Sequence, residues 1–376
     1  MDDMLLDAAR KTVPILSANA ARTERELRPA PDSVAAVRDA GLFALAVPGE
    51  AGGLDADLRT FVEVLAELGR GCASTAWVAG LSAATKKTTA SIVSDAAREA
   101  LLADPDAVVC GSTVAQGVSG ERVPGGLRIS GRWAMASGSE LASWAMAMVP
   151  LTGDTPPTVC ITVIPVSDLS IERTWKAAGL AGTSSHTLVA ENIVIPERLV
   201  TFPNGSGPQI PQELVFMGGL AALAPMIGAT RGAQDLVAAA IAGKRAPYAT
   251  TYARVADSPL GRYWFTEALR RTETAMQRTL QVADVLDALR PGAAMPVEER
   301  IRLRVELSTA ARECREAMEL LLDLHGASGF ADDNPLQRFW RDVAVGTRHP
   351  YFTPYILAED HGRVAFDVMP TVSLTL

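Results

Sequence analysis

The sequence predicts an α+β fold in three parts: an N-terminal α-helical domain over residues 1–106, a central antiparallel β-domain over 107–207, and a C-terminal four-helix bundle over 208–376. Three observations predict it. Apolar residues recur at helical spacing up to about Leu102, short alternating β-branched runs replace them from Ala107, and long amphipathic stretches follow residue 207. With 376 residues, 48% of them hydrophobic, the chain can bury a large core divided among cooperating domains.

In the first part Leu5, Ala9, Val13 and Leu16 share a helical face, and Val34, Val37 and Leu42 repeat the spacing. Asp32 and Ser33 are expected to cap the second helix, which Gly41 ends. VPGEAGG, from Val47 to Gly53, breaks the pattern, and an amphipathic helix resumes over Leu54–Gly69. The strand-like runs are AVVCGST, LRISGRWAMAS, WAMAMVPL, PTVCITVIP and HTLVAENIVIP, divided by turns such as Val123–Gly126 and Thr152–Pro157. Pro203–Gly207 reads as the exit linker. Helices are then predicted over Glu213–Ala242, Pro259–Leu289 and Val297–His325, with shorter ones after Pro335 and Pro354. In the third of these, Ile301, Val305, Leu307, Cys314, Met318, Leu321 and Leu322 form one apolar face. Helices this long need mutual burial, which a bundle supplies.

Charge and composition narrow the function. The net charge is -8 and no Lys/Arg run forms the stripe that a phosphate backbone requires, so nucleic acid is not an expected partner. Asp2, Asp3 and Asp7 interrupt any secretory signal, and the apolar stretch Leu214–Ile227 is too short to span a bilayer and contains Pro225. A soluble cytoplasmic protein without a membrane partner is expected. Cys72, Cys110, Cys160 and Cys314 form no CxxC pair and read as buried free thiols. His186, His325, His349 and His361 lack ligand spacing, and no metal site is expected.

The segments between the elements carry motifs: GLFALAVPGEAGG (Gly41–Gly53), GCASTAWV (Gly71–Val78), ISGRWAMASGSELASWAM (Ile129–Met146), GLAGTSSHT (Gly179–Thr187) and NPLQRFWRDVAVGTRH (Asn334–His349). In this order, over nearly the whole chain, they resemble the acyl-CoA dehydrogenase superfamily, and particularly its branch of two-component (group D) flavin-dependent monooxygenases. The resemblance implies an oxygenase component that uses reduced flavin (FMNH2 or FADH2) and dioxygen to hydroxylate or N-oxygenate a small organic substrate, with natural-product biosynthesis as one setting. It further implies a separate NAD(P)H:flavin reductase that delivers flavin by diffusion, and a homotetramer with flavin between β-domain and bundle, touching a neighbouring subunit. Reduced flavin that meets dioxygen yields hydrogen peroxide unless water is excluded and the activated oxygen is held by hydrogen bonds, so the protein's contribution is geometric and electrostatic.

Within that resemblance Trp133, Ser137 and Ser139 lie on the strand that lines the flavin ring, with Ser137 near its reactive edge; the alternative is that both serines satisfy a strand end. Thr183, Ser184 and Ser185 combine small size with hydroxyl donors suited to a flat ring or a phosphate. His349 occupies the place of a histidine above the flavin and is the main catalytic candidate, since an imidazole can donate or accept a proton near neutral pH. Arg254, in YARVADSPLGR, matches an arginine that reaches a flavin phosphate across a subunit interface, against a solvated arginine before a helix as the plain alternative. Trp144 reads as a core aromatic, His186 as the start of a strand, and Arg341 and Asp342 as an ion pair or as groups that orient the loop.

Two departures bear on the chemistry. Dehydrogenases of the superfamily carry a proton-abstracting glutamate before the last helix, whereas no carboxylate occurs here between Asp342 and Glu359. Relatives that hydroxylate simple phenols carry a histidine a little after GCASTAWV, where this chain has Thr85. Thr85 and Trp77 are placed on the substrate side, and a substrate other than a small phenol is implied. A flavin dehydrogenase or oxidase, or a catalytically idle binding member of the fold, stands as the alternative.

Overall fold

The computed structural model of the protein describes residues 2–153, 158–202, 210–243, 246–290 and 294–373. The expected linker Pro203–Gly207 and most of the turn ending at Pro157 lie outside them.

Five helices come first: α1 (Asp2–Glu26), α2 (Pro31–Asp39), α3 (Leu58–Gly71), α4 (Ala73–Ile92) and α5 (Asp95–Leu102). Two expectations about their ends need correction. The second helix begins at Pro31 after Ala30, with no side-chain cap; Ser33 is buried inside its first turn and its hydroxyl has no partner. Proline is suited to that first position because the N–H it lacks would have no helical acceptor. The third helix starts at Leu58 rather than Leu54, because Asp57 accepts the N–H of Thr60 at 2.7 Å and caps it there. Gly41 ends the preceding turn with φ +70°, as its position predicts.

Eight strands follow: β1 (Val109–Gly111), β2 (Val114–Val123), β3 (Gly126–Ala136), β4 (Trp144–Pro150), β5 (Val159–Pro165), β6 (Ser170–Glu172), β7 (His186–Pro196) and β8 (Val200–Thr201). They form two four-stranded sheets, ordered β1-β4-β5-β8 and β2-β3-β7-β6. The pairs are antiparallel, as expected for the central domain, except that the short β1 runs parallel to β4 at one edge. Leu127, Ile129, Trp133, Leu188 and Ile195 from one sheet meet Ala147, Val149, Cys160 and Val163 from the other in a separate core.

The last part contains α6 (Gln212–Ala242), α7 (Pro259–Asp287), α8 (Val297–His325), α9 (Pro335–Gly346) and α10 (Pro354–Ala365). α6 is long and apolar enough to cross a membrane, yet its most apolar stretch is 83% buried within the chain, which makes it the central core helix. One continuous hydrophobic cluster runs from Leu16 and Phe61 through Leu220 and Leu223 to Leu307 and Leu321, so the first and third parts share a core. Glycines let the backbones meet: a Cβ at Gly228 of α6 would lie 1.9 Å from the carbonyl of Ala66 on α3. All four cysteines are buried.

Candidate active site

The first half of GLAGTSSHT lies against α9. A Cβ on Gly179 would fall 2.0 Å from the carbonyl of Arg341, so only glycine admits this approach. Asp342 then accepts the N–H of Leu180 at 2.6 Å, while Arg341 donates to the Ala178 carbonyl and pairs with Glu24 at 2.5 Å. The two residues therefore anchor the loop, and Arg341 takes Glu24 rather than Asp342 as its ion-pair partner. Complete burial pushes the Asp342 carboxyl up to about 7, against the opposing effect of the Leu180 N–H. Leu180 and Ser184 both take left-handed backbone (φ 51° and 43°), a strain that the surrounding hydrogen bonds must offset.

From this loop a line of hydroxyls crosses to the N-terminal helices. Trp77 on α4 donates its indole N–H to Ser137 Oγ at 3.2 Å, Ser137 and Ser185 hydroxyls are 2.8 Å apart, Ser185 and Thr183 hydroxyls are 2.7 Å apart, and Thr183 donates to the Leu180 carbonyl at 2.8 Å. An indole can only donate and a carbonyl can only accept, so each hydroxyl in between donates toward Leu180. Ser137 and Ser185 keep acceptor capacity for a further N–H group.

Ser185 also lines a cavity of about 330 Å³, with Gln116, Arg132, Ala134, Met135, Thr174, Trp175 and Thr187. That volume is at the lower end for small-molecule and cofactor sites, roughly 300–1,000 Å³. Trp175 and Met135 supply its large apolar groups and Thr174, Ser185 and Thr187 its hydroxyls, a donor set that fits a flat heteroaromatic ring with a polar edge; none of its lining residues is a carboxylate. Met135 is carried outward by a register shift in β3 between Trp133 and Ala136, and by a positive φ of 61°.

On the other side of Trp77 stands His349, its ring centroid 5.8 Å from the indole in an edge-on arrangement. His349 follows α9, and its Nδ1 accepts the N–H of Tyr351 at 3.3 Å, so the neutral ring carries its proton on Nε2. Burial holds its pKa below the ordinary histidine value.

The structure thus brings together Ser137, Thr183, Ser185, Trp77 and His349 from four separate stretches of chain. It corrects others. Trp133 is fully buried in the core between the two sheets, because it alternates onto the inner face of β3. Ser139 is also fully buried and donates to the Ser184 carbonyl at 2.7 Å, which makes it a link within the protein. Ser184 is buried with its hydroxyl unpartnered and is absent from the cavity lining. Arg254 is an exposed residue preceding α7, ion-paired with Asp257 at 2.7 Å, and does not reach this cavity within one chain. Thr85 lies two turns beyond Trp77 on α4, half-buried against Gly111. Met135, Trp175, Thr174 and Thr187 were not singled out by sequence; the signals available were an apolar residue at an outward position of a strand and an isolated tryptophan before a glycine-rich loop.

A three-part fold with this polar line across it defines a class, and the comparisons agree. Residues 2–104 match the family model described as acyl-CoA dehydrogenase, N-terminal domain, and residues 220–354 the one described as acyl-CoA dehydrogenase, C-terminal domain. The chain is 32% identical to the oxygenase component of FADH2-dependent resorcinol hydroxylase from Rhizobium sp., over 88% of this chain and 86% of that protein. It is 30% identical to the flavin-dependent monooxygenase oxygenase subunit HsaA from Rhodococcus jostii, covering 90% and 91%. The structure of XiaF from Streptomyces sp. in complex with FADH2 and glycerol superposes with a TM-score of 0.91 at 27% identity, covering 100% of this chain and 98% of that one. The protein belongs to the acyl-CoA dehydrogenase family. Within it, the chain is a member of the branch of flavin-dependent monooxygenases that form the oxygenase component of two-component systems.

Proposed function

We infer that this protein is the oxygenase component of a two-component monooxygenase, taking reduced flavin from a separate reductase and using dioxygen to hydroxylate or N-oxygenate a small organic substrate. The observation that carries the reading is the cavity itself: hydroxyls and apolar groups without a carboxylate, joined through Ser137 and Trp77 to a neutral, half-buried histidine. A dehydrogenase of this family needs a carboxylate base, and this site offers none among its lining residues.

When bound, reduced flavin supplies the electrons with which dioxygen is activated. Met135 and Trp175 would flank its ring, while Ser185, Thr187 and Thr174 would bond its polar edge. His349 holds a proton at Nε2 and can donate it to developing negative charge on oxygen or to a departing hydroxide, which then leaves as water. Trp77 and Phe352 pack against the imidazole ring and limit its orientation. Trp77 and Thr85 share the α4 face assigned to substrate; Thr85 presents a neutral hydroxyl in place of a base, which suits a substrate that needs no phenol ionisation.

Assembly into a homotetramer is part of the same reading. Around Arg254 the side chains of Tyr248, Leu260 and Tyr263 are 98%, 71% and 62% exposed, an apolar surface of the kind that subunit contacts cover. Arg254 would then reach the flavin phosphate of a neighbouring subunit, whether FMN or FAD. The cytoplasm, with a natural-product pathway as one setting, is the proposed location. The test is to mix the purified protein with reduced flavin, then with dioxygen and a panel of phenols, polycyclic aromatics and amines, scoring oxygenated product and peroxide. Peroxide release that no substrate suppresses, with no product, would overturn the assignment.

A further inference from the structure

We propose that His186 is a positioning residue for the cofactor cavity: as a neutral imidazole it holds the backbone of Trp175, one wall of that cavity, and proton uptake releases the wall. His186 opens β7 between Ser185 and Thr187, which line the cavity, and strand alternation turns its own side chain to the opposite, fully buried side. There its Nδ1 accepts the backbone N–H of Trp175 at 3.3 Å. Trp175 is held at a second point by its indole N–H, which donates to the Leu180 carbonyl at 2.9 Å. One bond fixes the backbone and the other the ring, so the wall depends on both.

An imidazole that accepts at Nδ1 carries its proton at Nε2, and here Nε2 is buried without a partner. An imidazolium would bear protons on both nitrogens. Its Nδ1–H would then face the Trp175 N–H donor to donor, and the bond would be replaced by repulsion. The charged groups acting on His186 are Glu140, from the turn after β3, and Arg173, from the segment after β6; they are paired with each other at 2.6 Å. Glu140 favours the cation and Arg173 opposes it, while burial, the largest influence, favours the neutral ring. Two further polar atoms near this turn, Oε2 of Glu140 and the hydroxyl of Ser184, are buried and unpartnered, so little solvation awaits a charge there.

The inference rests on the reading that the cavity takes flavin, and its test separates the two. Amide hydrogen exchange at Trp175, corrected for the intrinsic effect of pH, needs no cofactor. Protection should be high at pH 8 and fall on acidification, by up to about tenfold per pH unit between the ordinary histidine pKa and the lowered value of the closed form, as expected for one linked proton. His186→Asn keeps an acceptor oxygen but cannot titrate, and should retain protection across the range. His186→Leu should lack it at every pH. Anaerobic titration with reduced FMN should give dissociation constants that follow the same three patterns. Identical pH profiles for wild type and His186→Asn, or full protection of Trp175 in folded His186→Leu, would overturn the role given to His186. Trp175 protection that behaves as stated in a protein that binds neither reduced FMN nor reduced FAD would instead leave the latch standing and remove the cofactor assignment.

Discussion

The indole of Trp77 meets the imidazole of His349 edge-on, with centroids 5.8 Å apart and planes at 66°, while its N–H donates to Ser137. One side chain from α4 therefore touches both the residue after α9 and the loop of the β-domain. The site is assembled across all three parts of the fold, and disturbing any one of them should be felt at the others.

Replacement of His349 by alanine should leave folding intact and uncouple oxygen use from product formation. A positioned proton donor contributes on the order of 10²–10⁴-fold, so product per reduced flavin should drop steeply while peroxide rises. Because burial lowers the His349 pKa, wild-type coupling should be flat from pH 8 to below 6.5 and fall only in more acid solution. Product and peroxide yields measured against pH check both statements; coupling in the alanine variant equal to wild type would remove His349 from the mechanism.

Ser185→Ala removes the middle of the hydroxyl line and leaves Ser137 and Thr183 each one partner short. The expected cost is roughly 1–2 kcal/mol of stability, the usual price for a lost buried hydrogen bond with its partners left behind. Flavin affinity should weaken by about tenfold if the open acceptor of Ser185 binds the ring. A thermal melt and a flavin titration measure the two effects separately.

Asp342→Asn keeps an acceptor for the Leu180 N–H and removes the titration. Since the folded-state pKa is raised from 3.8 to about 7, the protonated form is favoured by folding. Its stabilising contribution is complete below about pH 4 and is lost as pH rises through about 7. The asparagine variant should match or exceed wild-type stability at pH 8 and lack this slope, which denaturant titrations at pH 6 and 8 would reveal; a slope unchanged by the substitution counts against a buried, titrating Asp342.

Gly179→Ala forces a methyl against the Arg341 carbonyl, where 2.0 Å is available. Overpacking of this kind costs about 1–3 kcal/mol. The loop can relieve it only by leaving α9, so flavin binding should weaken along with stability. Normal affinity and an unchanged melting temperature would show that the approach is looser than described.

Arg254→Ala concerns the assembled protein. Its ion pair to Asp257 is exposed, so subunit stability should be almost unchanged. Affinity for FMN should nevertheless fall while affinity for riboflavin, which has no phosphate, stays the same. Equal losses for both flavins would remove the phosphate contact from the proposal.

Much of this site was legible in sequence because motif strings carry local chemistry. Ser137, Thr183, Ser185 and His349 were singled out this way, and their place in the proposed site rests on the contacts between them. The errors share a cause: Trp133 and Ser139 sit on the same strand and turn as Ser137, and sequence proximity alone does not say which side chains face outward. Alternation along β3 turns Trp133 in, and a register shift after it accompanies the outward position of Met135.

By itself, the sequence determined the order of helices, strands and helices, the spacing of the apolar faces and the family, since these follow from local periodicity and short-range turn chemistry. The tertiary structure decided which hydroxyls join into a line, which tryptophan walls the cavity and which carboxylate is buried at Leu180. Those depend on approaches between residues far apart in the chain, such as Trp77 with Ser137 and Leu180 with Asp342, that only packing brings within hydrogen-bond reach.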